Sequence, residues 1–506
     1  MNISNVLCIA SQKYGPKPAV IFKEEQITYS RLAEEVAKLA AGLKNLGVAK
    51  AVKVGIYLPN SPEYVYSYLA CFTLGAVVVP LDYQLKEDEL ASCLGHSETK
   101  FLIARPHGDI ALDKVVSDAG TVEKIVLVGA DATQSHQIAW TSLMQTQATS
   151  LPAVSIDPKD PSMILYTSGT TGKPKGILLN YRHLEGSPKA MEHFVDLSDK
   201  DIKLCAIPLS HIGGFIYIQN CILFGITLVL MDRFNPVEFL RNIQEFKVTC
   251  FHIVPAMYTA LLSLKNLDKF DLSSLRWVVV FGAPSSPEIL ERFHQYCPNA
   301  QLLNGWGMTE TCPPNTVTPL GSKKIASIGK PSPLCEIKIF DEQNKEIAGG
   351  EVGEIVIRGW TIMDGYYRDP ETTQSLMSDG GWFHTGDLGK FDEEGYLYIV
   401  GRKKEMIKVA GQIVFAPEVE AAFYKNPDVV DAAVIGIPDP LRGEAIKAFI
   451  ALKPESKLTA EELRYFAKEH LANFKVPQHI EIMETLPKNR TGKIDKELLK
   501  QAGIAR

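Results

Sequence analysis

Residues Tyr166–Gly176 read YTSGTTGKPKG, and the apolar runs on either side decide how the chain is understood. Met163–Leu165 reads as a buried strand before this segment and Ile177–Leu179 as the next one after it. Between them lie four hydroxyls (Thr167, Ser168, Thr170, Thr171), three glycines and two lysines. Glycine lets the backbone approach an anion closely. Hydroxyls, free N–H groups and lysine ammoniums then supply donors for phosphate oxygens. The segment reads as a phosphate grip. It is not the P-loop G-x-x-x-x-G-K-[ST], because Pro174 follows Gly172-Lys173 and a strand, not a helix, comes next. No G-x-G-x-x-G follows a strand either, so the dinucleotide fingerprint is excluded.

Working outward, strand and helix signals alternate. Thr28 and Ser30 can cap a helix whose apolar residues (Leu32, Val36, Leu39, Ala40, Leu43) recur at helical spacing. Val52–Leu58 reads as a strand, Tyr64–Phe72 as a helix and Gly75–Leu81 as a short buried strand. The rhythm returns at Thr227–Leu230, Val248–Val254 and Trp277–Phe281, which predicts parallel sheets flanked by helices. After about Gly350 the texture changes. Short strands at Glu354–Arg358, Leu388–Phe391 and Tyr396–Val400, separated by Gly-, Asp- and Glu-rich turns, predict a small antiparallel barrel-like region. A charged linker, Gly401–Lys404, leads to an α+β pattern: a helix near Pro417–Tyr424, strands at Val430–Ile437 and Ala445–Leu452, and a helix at Ala460–Leu471. The expected organisation is an α/β protein with a large N-terminal domain of α/β sheets (residues 1–401) that includes the barrel-like subdomain. A hinge follows at 402–404, then a small mobile α+β domain at 405–506.

Bulk properties narrow the class. A chain of 506 residues has room for about two to four domains. Its 53 basic and 59 acidic side chains leave a net charge of −6 with no basic stripe, which argues against nucleic acid as the main partner. Nine scattered cysteines without a C-x-x-C fit a reducing compartment and no zinc site. The start, MNISNVLCIASQKYG, lacks a secretory pattern, and the longest apolar run, Cys221–Met231, is too short to span a bilayer. The expected location is cytoplasmic, and the oligomeric state is not legible.

Five further segments, in order, make the chain resemble the adenylate-forming (AMP-binding) superfamily in its acyl-CoA synthetase and aryl-CoA ligase branch. They are PLSHIGGF (Pro208–Phe215), NGWGMTET (Asn304–Thr311), WFHTGDL (Trp382–Leu388), GRKKEMIKVAGQIVFAPEVE (Gly401–Glu420) and PKNRTGKI (Pro487–Ile494), with the shorter FGAP at Phe281–Pro284. The resemblance implies a large α/β domain, a mobile C-terminal lid, and ATP, Mg²⁺ and CoA as reactants or cofactor. Thr167, Ser168, Gly169, Thr170, Thr171, Gly172, Lys173 and Lys175 would grip the β- and γ-phosphates. Gly282, Ala283 and Pro284 would lie at the adenine edge. Asn304, Gly305, Trp306, Gly307 and Met308 would form the rest of the nucleotide wall, with Trp306 stacked on adenine where the family usually has tyrosine.

By the same resemblance Thr309 contacts the α-phosphate and Glu310 holds the metal. Asp387 takes the ribose diol, with Arg402 as a second ribose and phosphate contact. Lys404 is the hinge and Gly411 lines the path of the CoA arm, although Gln412-Ile413 and Ala416-Pro417 depart from the commoner family pattern. Lys493 is the catalytic lysine, placed on a loop. His211 gates the acyl pocket, with Phe215, Tyr217 and Cys312 as further lining. No Asp follows His211 to pair with a substrate ammonium, which disfavours α-amino acids. The implied reaction is ATP-dependent ligation of a carboxylic acid to CoA, with a medium-chain fatty or cyclic/aromatic acid favoured. A carrier-protein thiol as acceptor and a non-catalytic nucleotide sensor are the alternatives.

Overall fold

The structure is a computed structural model that describes residues 2–108, 110–148, 150–167, 175–282, 287–489 and 493–504, the last three as backbone. Its described strands form four sheets. In the largest, strands Gln301–Trp306, Trp277–Val280, Cys250–Ile253, Ile202–Cys205, Thr227–Leu230 and Pro18–Phe22 run parallel, side by side. Trp277–Val280 (WVVV) is buried at every position, as a parallel strand covered on both faces requires. A second sheet of eight strands holds Lys53–Tyr57 and Val77–Pro80 at its centre. Toward one edge it contains the antiparallel pair Pro161–Thr167 and Lys175–Asn180, which frames the glycine- and hydroxyl-rich segment, with Gly365–Tyr366 as the edge strand beyond. Helices pack between and outside these sheets. The one at Tyr29–Asn45 starts at Thr28, whose side chain accepts from the Arg31 N–H.

The third sheet is antiparallel: Cys335–Phe340, Gly353–Gly359, Trp382–Phe391 and Met377–Ser378, with Leu397–Arg402 paired to Trp382–Phe391. The fourth contains Met406–Val409, Gln412–Phe415, Val429–Asp439, Gly443–Leu452 and His479–Met483, packed by helices Ala416–Tyr424, Ala460–His470 and Lys496–Ile504. Among the described residues no helix is long and apolar enough to cross a membrane.

Three sequence expectations are corrected. Asp387 is not in a turn but inside the ten-residue strand Trp382–Phe391. That strand absorbs its glycines by letting Gly386 take φ +72° and by a bulge between Leu388 and Gly389, so turn-like letters occupy extended backbone. Arg402 is not part of a linker: it ends strand Leu397–Arg402 and pairs with Asp387, and a short 3-10 turn, Lys403–Glu405, follows. Gly411 stands at the tip of a hairpin that the sequence did not reveal. Ala410 (φ +49°) and Gly411 (φ +82°) make the left-handed pair that a two-residue hairpin turn needs.

Candidate active site

Glu310 lies in the short 3-10 turn Thr309–Thr311, just beyond strand Gln301–Trp306. Two contacts fix it from a distant segment. The Met363 N–H donates to the Glu310 carbonyl at 2.8 Å, and the Tyr366 hydroxyl donates to Glu310 Oε1 at 2.9 Å. Tyr366 in turn pairs with Ile177 across strands Gly365–Tyr366 and Lys175–Asn180, and the Tyr367 N–H donates to the Gly176 carbonyl. Lys175 Nζ stands 5.2 Å from the Tyr366 ring centroid. Tyr366 thus sits between a carboxylate and a lysine at the edge of the proposed phosphate grip. Burial and Glu310 push its pKa above the ordinary tyrosine value, keeping it a donor. Sequence reasoning missed it, because its role depends on strand pairing across almost two hundred residues. Replacing Tyr366 by Phe is expected to lower the rate of acid activation about tenfold, the value of roughly one hydrogen bond to a charged group. Steady-state kinetics with titrated Mg²⁺ checks this.

The segment that carries Met363 and Tyr366 is anchored by His183. Its Nδ1 accepts from the Asn180 N–H at 3.0 Å, and its Nε2–H donates to the Ile362 carbonyl at 2.9 Å. Asn180 and Arg182 also bond Asp364. His183 is 1% exposed, and burial followed by the Arg182 charge holds its pKa at about 4. The folded state therefore needs the neutral ring. Its contribution is complete above the unfolded value of 6.5 and is lost as pH falls toward about 4. The loss over that window should be about 3 kcal/mol. Urea melts between pH 7 and 4 should be distinctly less pH-dependent in His183→Asn.

Asp387 forms a second cluster. It is 5% exposed, and both its oxygens are engaged: Trp306 Nε1 donates to Oδ2 at 2.8 Å and Arg402 Nε to Oδ1 at 2.8 Å. Thr385 Oγ1 accepts from the Asp387 N–H and donates to the Ile355 carbonyl. Glu354, also missed by sequence reasoning, bonds the Gly386 N–H at 3.0 Å and pairs with Lys403 at 3.1 Å and His384 at 3.2 Å. Burial costs this carboxyl, but His384 and Lys403 hold its pKa below the usual range. Each carboxylate oxygen carries two lone pairs, so Asp387 retains acceptor capacity beyond Trp306 and Arg402.

Lys493 comes from the C-terminal region and approaches Gly282. Its backbone is clamped by Asn489: the Lys493 N–H donates to Asn489 Oδ1 at 3.1 Å, and the Asn489 N–H donates to the Lys493 carbonyl at 2.7 Å. The residue as a whole is exposed, yet its Cε lies 3.7 Å from the position a Cβ would take on Gly282. Burial of the amine end and then the Arg402 charge lower its pKa, while Asp387 and Glu405 oppose them. Lys404, by contrast, lies in the Lys403–Glu405 turn.

Gly305 and Gly307 cannot carry side chains. A Cβ on Gly305 would overlap the Phe281 ring, 2.0 Å from Cε1, and one on Gly307 would lie 2.5 Å from Pro313 Cβ. Asn304 and Met308 flank them, and Asn304 Nδ2 donates to the Ile325 carbonyl. His211 precedes helix Ile212–Phe224, with Nε2 3.4 Å from Asp82 Oδ2 but outside hydrogen-bond geometry. Gly214 lets that helix start against Pro208, whose carbonyl would be 2.2 Å from a Cβ.

Phe215 and Cys312, expected at the acyl pocket, are both buried. Phe215 is buried against Tyr68 and Phe72 (ring centroids 4.9 and 5.6 Å), within the core shared with the N-terminal helices. The Cys312 thiol is buried and donates to the His183 carbonyl, and burial pushes its pKa up to about 11. Tyr217 is also buried, its hydroxyl bonded to the His252 backbone. Ser168, Gly169, Thr170, Thr171, Gly172 and Lys173, with Ala283 and Pro284, lie outside the described residues; Thr167 and Lys175 pair at the base of that segment.

Comparison with known proteins decides the family. Residues 9–367 match the family model of AMP-binding enzymes, and residues 418–493 match that of the AMP-binding enzyme C-terminal domain. The chain belongs to the AMP-binding enzymes. It is 33% identical to a 4-coumarate–CoA ligase of Humulus lupulus, over 94% of this chain and 89% of that one. It is 31% identical to a long-chain fatty acid–CoA ligase of Bacillus subtilis, over 97% and 93%. Among solved structures, an anthranilate CoA ligase in complex with anthranoyl-AMP superposes with a TM-score of 0.93 at 28% identity, covering 99% of this chain and 97% of that one. This AMP-binding enzyme is an acid–thiol ligase of the acyl-CoA synthetase branch, AMP-forming, and ATP, Mg²⁺ and CoA belong to its reaction.

Proposed function

We propose that the enzyme activates a medium-chain fatty or cyclic/aromatic carboxylic acid as its acyl adenylate and transfers the acyl group to CoA. The observation that supports this reading is the approach of Lys493 Cε to Gly282, near enough for the Arg402 and Asp387 charges to act on its amine, while Asp387 binds Trp306 of the strand that leads to Glu310. A carboxylate resists nucleophiles because it is already negative. Exchanging one oxygen for AMP gives the carbonyl a good leaving group, and the protein's share of that step is positioning and charge neutralisation.

Lys493 is assigned to the substrate carboxylate and the α-phosphate, with Thr309 as a second α-phosphate contact. Asp387 and Arg402 are assigned to the ribose, and Thr167 and Lys175, with the segment between them, to the outer phosphates. Glu310 fits a hard Mg²⁺: it offers one carboxylate already oriented by Tyr366. Among the described residues no group of three or more His, Cys, Asp or Glu side chains could hold a metal. A cation at Glu310 would complete its oxygen shell from phosphates and water, the usual habit of Mg²⁺.

For thioester formation, Lys493 must leave the path of the thiol. The residues after the Lys403–Glu405 turn are assigned to the lid, with Lys404 as hinge, residues 1–401 as the larger body and Gly411 beside the CoA arm. His211 gates the acid. The acyl group is assigned to the side of helix Ile212–Phe224 that begins at Gly213, because Phe215 packs on the opposite side. A hydroxamate-trapping screen of carboxylic acids tests the reading. Trapped hydroxamate with medium-chain or cyclic acids supports it; trapping with acetate or α-amino acids alone contradicts it.

A further inference from the structure

Gly213, Tyr217 and Asn220 recur at i, i+4 and i+7 along helix Ile212–Phe224 and so share one side of it. At Gly213 a Cβ would find only Ile207 Cγ2, at 3.9 Å, which leaves room at the first turn. Opposite this side, Lys203, His252 and Trp277 project from one face of the large sheet, since Lys203 pairs with Cys250 and Cys250 with Trp277. Lys203 is 1% exposed. Its Nζ donates to Asn220 Oδ1 at 2.6 Å, faces His252 Nε2 at 3.5 Å, and lies 4.9 and 5.2 Å from the Tyr217 and Trp277 ring centroids.

Among the described residues no carboxylate pairs with this ammonium. Asp201, two residues earlier, is taken by Arg276 and Thr249, each at 2.7 Å. Among the described residues two more donors nearby have no hydrogen-bond partner: Asn220 Nδ2, on the amide that Lys203 already touches, and Trp277 Nε1. Both residues are buried. Burial lowers the Lys203 pKa to about 8, so the amine remains mainly protonated at neutral pH. Burial and Lys203 together keep His252 neutral. A lone buried cation costs several kcal/mol, and each unspent donor about 1–3 more. Orphaned groups on this scale call for a missing acceptor.

The cluster adjoins the reacting end of the site. Phe281 follows Trp277 on the same sheet face, and its ring meets His252 edge-on at 5.3 Å and crowds Gly305. Gly282 comes next, facing Lys493.

We propose that Lys203, Asn220 and Trp277 form an anion subsite for a second, distal carboxylate of the acid, so that the enzyme prefers dicarboxylic acids. This deepens the ligase reading and rests on it. The acid's apolar middle lies against Tyr217 and Phe281. The seven helical steps from Gly213 to Asn220 rise about 10 Å, which sets the separation of the two carboxylates.

The test compares kcat/KM for CoA-dependent AMP release between straight-chain dicarboxylic acids and monocarboxylic acids of equal length. Wild type is expected to favour the dicarboxylic acid by at least about 100-fold, as a site with buried donors rejects an analogue lacking the acceptor. Lys203→Met should erase most of that ratio. It should also melt no lower than wild type, because an uncompensated buried charge has gone. Trp277→Phe keeps the ring and removes one donor, and should lower the ratio about tenfold. A wild-type preference for monocarboxylic acids, or a ratio unmoved by Trp277→Phe in folded protein, overturns the subsite and leaves the ligase reading intact. No acid-dependent AMP release with any acid overturns both.

Discussion

Lys493→Ala should lower acyl-adenylate formation by about 10²–10³-fold while leaving thioester formation from supplied acyl adenylate within about threefold. The prediction rests on where the amine end stands. It lies by Gly282, within the electrostatic reach of Arg402, Asp387 and Glu405, on a backbone clamped to Asn489. In the first half-reaction two negative groups must meet, the acid's carboxylate and the α-phosphate. A positioned ammonium offsets that repulsion where water is scarce. In the second half-reaction the nucleophile is a thiol and the leaving group is AMP, and the proposed assignment gives the lysine's place to the incoming sulfur. Acid-dependent pyrophosphate exchange measures the first step, and single-turnover thioester formation measures the second. Equal losses in both would make Lys493 a structural residue of its loop.

Asp387→Ala should raise the KM for ATP by about tenfold or more and shift the KM for the acid far less. It should also destabilise the protein by about 1–3 kcal/mol, because the Trp306 indole N–H and the Arg402 guanidinium lose their shared acceptor. The stability cost stays below that of a fully buried pair since the Arg402 side chain is 44% exposed and can turn to water. Asp387→Asn keeps an acceptor for one of the two donors and should recover part of the stability. A larger shift in the acid KM than in the ATP KM would place Asp387 on the acyl side instead.

Much of the scaffold is legible because its physics is local. Thr227–Leu230 and Trp277–Val280 are short β-branched runs inside a parallel sheet, and continuous burial writes itself as continuous hydrophobicity. Thr28 announces its helix through a cap. The proposed site is read from the sequence where the chemistry assigned to a residue is in its own side chain, as for Glu310, Asp387, Arg402 and Lys493. What escapes is whatever depends on partners far along the chain. Tyr366 looks like an ordinary packing aromatic until strand pairing sets it beside Glu310 and Lys175. Glu354 looks like a solvent-facing strand residue until Gly386, His384 and Lys403 converge on it. Phe215 misleads in the other direction. It follows His211 closely, but helical spacing turns it toward Tyr68 and Phe72, away from Gly213, Tyr217 and Asn220.

Pyrophosphate exchange into ATP, measured with and without carboxylic acids and followed by addition of CoA, separates an adenylating ligase from a protein that only binds nucleotide. Exchange that depends on both acid and Mg²⁺ is expected, followed by AMP release with an acyl-CoA product once CoA is supplied. Nucleotide binding without acid-dependent exchange would contradict the ligase reading.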